Sequence, residues 1–264
     1  MTLLSQMAEE RFGIKAAPED VKRLWEYILK TGPAEDAQTI NAVFSSGKAA
    51  GFLTVSETYF FREPAHFAFL WDMLPSFEKT GIRVCSAAVA SGCEAYSIAM
   101  LIEAYNKSVE KPLRYHIDAF DLNPEVIETA RAGVYGERAL REDGKNFRYM
   151  TVPYLKKLES GYQVDGTLKK NIRFFQHNLM DEISGKAYDI IFFRNAFIYF
   201  LPRYRERILS NVSASLKDGG ILIMGVSETA GVCHAGLEQK NQNDVFYFQY
   251  ADTTNRGKEC FFPN

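Results

Sequence analysis

From residue 82 onward the chain alternates short apolar runs with longer helical stretches, and this rhythm limits the possible folds more than any other feature. IRVCSAA reads as a strand, CEAYSIAMLIEAYNK as a helix, YHIDAFDLN as a strand, PEVIETARAGVY as a helix and NIRFFQHNL as a strand. YDIIFFRN follows as a nearly unbroken apolar run, the pattern of a strand with helices over both sheet faces. RYRERILSNVSASL reads as a helix stopped by Asp218-Gly219-Gly220, and GILIMGV and DVFYFQY as two last strands. The alternation predicts an α/β fold with a doubly wound, mostly parallel sheet. No helix-length apolar pattern separates the last two strands, so they are expected to pair antiparallel at one side.

Ahead of this core, Val21, Leu24, Trp25, Ile28 and Leu29 recur at the spacing of an amphipathic helix over Pro18 to Lys30, which Gly32-Pro33 ends. A second helix is expected around Asp36 to Phe44, ending near Gly47. Residues 1–52 therefore read as a small helical N-terminal domain and 53–264 as the main one. Lys22, Arg23, Glu26 and Lys30 fall on the other faces of the first helix, as a solvated surface or a basic contact face for an acidic partner. Residues 140–170 break the strand–helix rhythm. There Asp165-Gly166 reads as a hairpin turn between GYQV and TLKKNIRF, and the segment as a small inserted β-lobe for docking or specificity, outside the cofactor site. The tail ADTTNRGKECFFPN reads as loosely held.

At 264 residues, 47 % of them hydrophobic, the chain can bury one large core with appendages. A net charge of -2 argues against bulk attraction to nucleic acid or anionic membrane. MTLLSQMAEERFGIK lacks the apolar run and small-residue cleavage site of a secretory signal. The most apolar segment, DIIFFRNAFIYFL, is interrupted by Arg194 and Asn195, far short of a membrane span. These features imply a soluble, cytoplasmic protein without direct membrane insertion. Cys85, Cys93, Cys233 and Cys260 form no C-x-x-C pair and the histidines are scattered, so neither a metal site nor a disulfide framework is expected.

Ligands of such sheets bind beyond the carboxyl ends of the strands, near the turn after the first one. That turn runs Ser86 to Ser91, and its only glycine is Gly92 at the end. A dinucleotide would need G-x-G-x-x-G there, for close backbone approach to a pyrophosphate. A cofactor without phosphates would not. The next strand ends in Asp121, which can accept hydrogen bonds from two ribose hydroxyls or can serve as N-cap of the helix from Pro124; the sequence allows both.

A first-strand turn poor in glycine, an acid ending the second strand and a terminal antiparallel strand together resemble the S-adenosylmethionine (SAM) dependent methyltransferase fold. On that resemblance Glu94, in the first helical turn, is placed to pair with the methionine ammonium. Four ordered segments sharpen it: SETYFFREPAHF (56 to 67), SGCEAYSIAM (91 to 100), FDLNPEVIETARAGVY (120 to 135) and FFRNAFIYF (192 to 200). They resemble the signatures of the CheR family, T-x-F-F-R, S-x-G-E-E-P-Y-S, a strand-end Asp before A-x-x-G-x-Y, and C-R-N-x-x-I-Y-F.

The resemblance implies a monomeric enzyme that forms glutamate methyl esters on chemoreceptor cytoplasmic domains during chemotaxis adaptation, with SAM as cofactor and S-adenosylhomocysteine as product. Carried over by position, it implies that Thr58 and Arg62 face the cofactor, with Ser56 where the family often has Asn. It further implies Ala88 at the first turn, Glu94 at the methionine moiety, Asp121 at the ribose and Asn178 and Leu179 flanking the adenine. Phe193 and Arg194 would close the floor and Tyr199 would look toward the transferred methyl, with Arg62 and Tyr199 as the catalytic pair. The departures are Cys93-Glu94 for the paired acids, Ala95 for the following Pro, Phe193 for the Cys of C-R-N, and a shorter N-terminal unit. Alternatives are a carboxyl methyltransferase on another substrate and a SAM-binding relative acting as a sensor or adaptor. An amide or adenine N-methyltransferase would show an N-P-P-Y-like turn, which Asn195 to Tyr199 lacks.

Overall fold

The computed structural model describes residues 2–32, 36–185, 187–232 and 234–251; the tail from 252, Cys233 and Cys260 lie outside them. Five helices among the described residues precede the first strand, beginning with α1 (Thr2–Phe12), α2 (Pro18–Thr31), α3 (Ala37–Ser45) and α4 (Ala50–Leu53). α2 starts on Pro18 with Glu19 and Asp20 in its first turn and buries Val21, Leu24 and Ile28, as its apolar stripe requires. Asp36 caps α3 by accepting from the Gln38 amide. α5 (Pro64–Met73) then leads into β1 (Ile82–Ala87), α6 (Cys93–Asn106), β2 (Tyr115–Asp121) and α7 (Pro124–Ala132). Smaller elements follow: β3 (Val134–Tyr135), α8 (Arg148–Thr151), β4 (Leu155–Leu158), β5 (Gly161–Val164) and α9 (Gly166–Lys169). The chain ends with β6 (Ile172–Gln176), β7 (Tyr188–Phe193), α10 (Pro202–Ala214), β8 (Leu216–Met224), β9 (Leu237–Gln242) and β10 (Val245–Tyr250).

The main sheet has seven strands in the order β6-β2-β1-β7-β8-β10-β9. The first five run parallel and β10 pairs antiparallel with β8. The chain order reverses between β1 and β7, which opens a crevice at the carboxyl ends of those two strands. Strand alternation divides the core. Ile190 and Phe192 of β7 pack with α5, α6 and α7, whereas Ile191 and Phe193 pack with α10 and with α1, α2 and α3. The N-terminal helices thus share a core with the sheet. α6 buries ten of its residues, which explains why its sequence is apolar on nearly every side.

Three local expectations need correction. Asp165-Gly166 is not the hairpin turn: Asp165 caps α9 by accepting from the Thr167 amide, and the hairpin joins β4 to β5 through Glu159-Ser160, six residues earlier. An Asp before Gly serves a helix start as well as a turn. Asp218-Gly219-Gly220 does not stop the helix, since α10 ends at Ala214 and these residues bulge within β8, where the register against β7 shifts between Tyr188 and Ile190. Gly219, at φ 73°, supplies the left-handed residue of that bulge. β9, LEQKNQ, adds an edge strand beyond β10 that its polar sequence did not announce. The small sheet, in the order β3-β5-β4, occupies 134–164.

Candidate active site

A cleft opens at the switch point, walled by the ends of β1, β2, β6 and β7, by residues from the 54–62 segment, by Ile14 between α1 and α2 and by Ala50 of α4. Ser56, Thr58, Arg62, Ala88, Glu94, Asp121, Asn178, Leu179, Arg194 and Tyr199 all line it.

Phe193 does not. It is fully buried on the opposite face of β7, against Phe197 at 5.9 Å and Phe200 at 6.2 Å. Successive strand residues point to opposite faces, so placing Arg194 at the cleft sends Phe193 into the core.

At one end of the cleft, Asp121 accepts from the amides of Ala90 and Asn123, both at 2.9 Å and on different oxygens. The N-cap of α7 is Asn123, whose side chain accepts from the Glu125 amide, so Asp121 is not the cap. Each Asp121 oxygen keeps acceptor capacity for a ligand hydroxyl. Burial pushes its carboxyl above the ordinary aspartate value, against the pull of those amides. His177 and Leu122, which sequence reading missed, line this end beside Asn178 and Leu179. The Asn178 side chain itself is engaged with the Arg11 carbonyl at 2.7 Å. The buried Nε2 of His177 has no partner among the described residues, an orphaned polar atom in the cleft wall beside Leu122 and Leu179.

At the other end, Glu94 Oε1 accepts from the Ser86 hydroxyl at 2.6 Å, and Oε2 pairs with Arg194 Nη1 at 3.2 Å. Burial pushes the Glu94 carboxyl up, opposed by Arg194 and Ser86. Arg194 also reaches Glu63 Oε2 at 3.3 Å and donates to the Arg62 carbonyl, so this buried guanidinium forms the floor between two carboxylates. For Glu63, burial acts upward, but the Arg194 charge and the Asn195 side chain hold its carboxyl below the ordinary value. A buried carboxylate whose desolvation Arg194 and Ser86 offset only in part suits an ammonium group.

The turn itself is strained. Ala88 and Ala90 have φ of 57° and 50°, and Phe61, Glu63 and Asn195 around the cleft are also left-handed. Each costs on the order of 1–3 kcal/mol, strain that clusters where backbone must be aimed at a ligand. Cys93, in the position of the missing acid, is fully buried behind the turn, and burial pushes its thiol up to about 12 despite Ser91 and Thr58 beside it. Residues 139–147 brace the covering segment: Ala139 O accepts from the Phe60 amide, Asp143 from the Tyr59 hydroxyl at 2.6 Å, and Phe147 stacks on Phe61 at 4.7 Å. The region that broke the sequence rhythm therefore touches the wall of the cofactor cleft at its start.

Residues 56–245 match the family described as CheR methyltransferase, SAM binding domain. The chain belongs to the CheR methyltransferase family. A chemotaxis protein methyltransferase of Borreliella burgdorferi is 36 % identical over 67 % of this chain and 65 % of its own length. One of Vibrio parahaemolyticus is 36 % identical over 69 % of this chain and 67 % of its own. Among solved structures, a putative SAM-dependent methyltransferase from Methanococcus maripaludis aligns at a TM-score of 0.43 and 12 % identity, over 74 % of this chain and 88 % of that one. The cofactor of this CheR-family chain is SAM, and the cleft fits it. Among its lining residues, the Asp121 carboxylate could accept from a diol, that of Glu94 from an ammonium, and Leu122, His177 and Leu179 could flank a heterocycle. Among the described residues no helix is long and apolar enough to cross a membrane.

Proposed function

We propose that the chain forms glutamate methyl esters on the cytoplasmic helices of chemoreceptors, as a cytoplasmic monomer. In this reading residues 1–52 meet the receptor, 53–264 hold the cofactor and carry out the transfer, and the small β-sheet docks the partner. The observation that carries it is the pair Arg62 and Tyr199. Both line the cleft with donors that the protein leaves unused: Arg62 spends one on the Glu57 carbonyl at 3.0 Å, and the Tyr199 hydroxyl has no partner among the described residues.

The bound cofactor supplies an electrophilic methyl on a sulfonium. The acceptor carboxylate, with a pKa of about 4.3, is ionised near neutral pH, so the protein need not supply a general base. What it must do is orient and exclude water. Asp121 and Glu94 fix the two ends of the cofactor, and Arg194 holds Glu94 in place from beneath. Arg62, its guanidinium beside the Tyr59 ring at 5.8 Å, orients the incoming carboxylate, and Tyr199 donates to it. The test is incubation with methyl-labelled SAM and a chemoreceptor cytoplasmic fragment, counting base-labile label. Arg62→Ala and Tyr199→Phe should each reduce ester formation by about tenfold or more while S-adenosylhomocysteine still binds. Base-stable label, or none, would remove the ester reading.

A further inference from the structure

The loop that carries Tyr199 is held by an acid that neither the motifs nor the cleft lining points to. Glu228 is 3 % exposed, and its carboxylate accepts three main-chain N–H groups. Oε2 takes Asn195 at 2.6 Å and Gly225 at 3.0 Å, while Oε1 takes Ile198 at 3.1 Å. A buried carboxylate so placed ties the end of β8 to the turn 195–199 that follows β7. Gly225 allows the approach, because a Cβ there would lie 2.6 Å from Glu228 Oε2 and 3.0 Å from the Asn195 nitrogen. Asn195 itself is left-handed at φ 58°, and Glu63 holds its side chain from the other side at 2.8 Å. The far end of the turn is tied to the N-terminal segment, where the Tyr199 carbonyl accepts from the Lys15 amide at 3.3 Å and the Gly13 carbonyl from Leu201 at 2.8 Å.

We propose that Glu228 is a positioning residue for methyl transfer, which fixes Asn195 and Ile198 and thereby sets the Tyr199 hydroxyl against the reacting carboxylate. The inference rests on the reading of Tyr199 given above. Glu228 touches neither cofactor nor substrate. It acts through the main chain, so its loss should reduce the rate of transfer and spare cofactor binding at the other end of the cleft.

Glu228→Gln isolates the effect. The amide oxygen can keep Asn195 and Gly225, but its NH2 then faces the Ile198 N–H, and like donors repel. In single turnover at saturating SAM with a chemoreceptor fragment, the variant should transfer methyl up to about a hundredfold more slowly, the order of loss that follows a small misplacement of a reacting group. Its S-adenosylhomocysteine affinity should match the wild type, and its Ile198 amide should exchange faster with deuterium. Gly225→Ala, which pushes the carboxylate off the Asn195 nitrogen, should reproduce the loss, and Glu228→Asp should fall between. Wild-type transfer by Glu228→Gln, unchanged Ile198 exchange, or equal losses of transfer and cofactor affinity would overturn the proposal. If Glu228→Gln does not fold, Glu228→Asp decides, and transfer at the wild-type rate there overturns it. A wild type that forms no ester on the fragment overturns the proposed function instead, while amide exchange still decides whether Glu228 holds the turn.

Discussion

Asp118 and Asp121 sit on the same strand, three residues apart and on opposite faces, and the protein treats them in opposite ways. Asp118 is fully buried and meets charge from every side: Arg173 Nε at 2.7 Å, His116 Nε2 at 3.1 Å, Arg83 Nη2 at 3.2 Å and the Tyr188 hydroxyl at 2.9 Å. Burial acts upward on its carboxyl, yet the Arg173 and Tyr188 hydrogen bonds and the charges of His116 and Arg173 hold it below the ordinary value. Asp121 is met by main-chain amides, those of Ala90 and Asn123 at 2.9 Å and that of Leu122, with no cation among the described residues, and burial wins. A carboxylate neutralised by its own chain serves the fold. One left short of partners, with acceptor sites open to a cleft, is held for something that arrives. Glu94 belongs with Asp121, since its two partners do not offset its burial.

The largest effect expected from this contrast is on folding. Asp118→Ala removes one side of a buried charge cluster and leaves the Tyr188 hydroxyl unpaired, at a cost of about 3 kcal/mol, the low end of the range because Arg83 and Arg173 reach solvent. Chemical denaturation should show the loss, and calorimetry on the folded fraction should show ordinary S-adenosylhomocysteine affinity. The pH dependence follows from the direction of the shift. A depressed folded-state carboxyl contributes stability above its unfolded pKa and loses it as pH falls through the lower folded value, so the difference between wild type and Asp118→Ala should vanish in acid. A cofactor-binding defect in Asp118→Ala would erase the distinction between the two acids.

Asp121→Asn should do the reverse. The amide keeps one acceptor oxygen for the Ala90 or Asn123 amide but loses the charge, so cofactor affinity should fall by about 1 to 2 kcal/mol, five- to thirtyfold, with a small change in stability. Unchanged affinity in a folded variant would remove Asp121 from the site. Glu94 offers a finer test through pH. Its carboxyl is raised in the free protein, and a bound ammonium would lower it, so binding should release a proton and the affinity should rise with pH until Glu94 is ionised without help. Glu94→Gln should flatten that rise; a rise of the same slope in the variant would assign it to another group.

The same contrast explains what was legible in the sequence. The order of strands and helices could be read because burial on both faces writes unbroken apolar runs, as in β7 and α6. Asp121 and Glu94 could be found because each stands at the end of an element whose register was clear. Glu63 and Glu228 could not, since their importance lies in partners brought to them from the ends of β7 and β8, main-chain amides for Glu228 and Arg194, the Asn195 side chain and the Val226 amide for Glu63, and nothing local marks such a residue. Phe193 was misplaced for the opposite reason: a motif names neighbours, while the pleat of the strand sends only every second one to the cleft. The polar β9 was missed because an edge strand needs no apolar code.

Position 93 gives the smallest expected effect and the sharpest limit on the comparison. It is where the family pattern places an acid, yet this chain has a thiol that is fully buried, pushed up to about 12 and therefore neutral, against Ser91 and Thr58. It resembles neither Asp118, which is surrounded by cations, nor Asp121, which faces the cleft. If the rule drawn from those two holds, Cys93 acts by packing alone, and Cys93→Ala should cost roughly 1 kcal/mol of stability for the lost volume while the rate of methyl transfer and the affinity for S-adenosylhomocysteine stay at wild-type values. Cys93→Glu should be worse than Cys93→Ala, because no cation among the described residues pairs with position 93 and an ionised carboxylate there would be buried without a partner. Should Cys93→Glu instead fold normally and transfer methyl faster, the first turn must open to solvent or cofactor more than its burial implies.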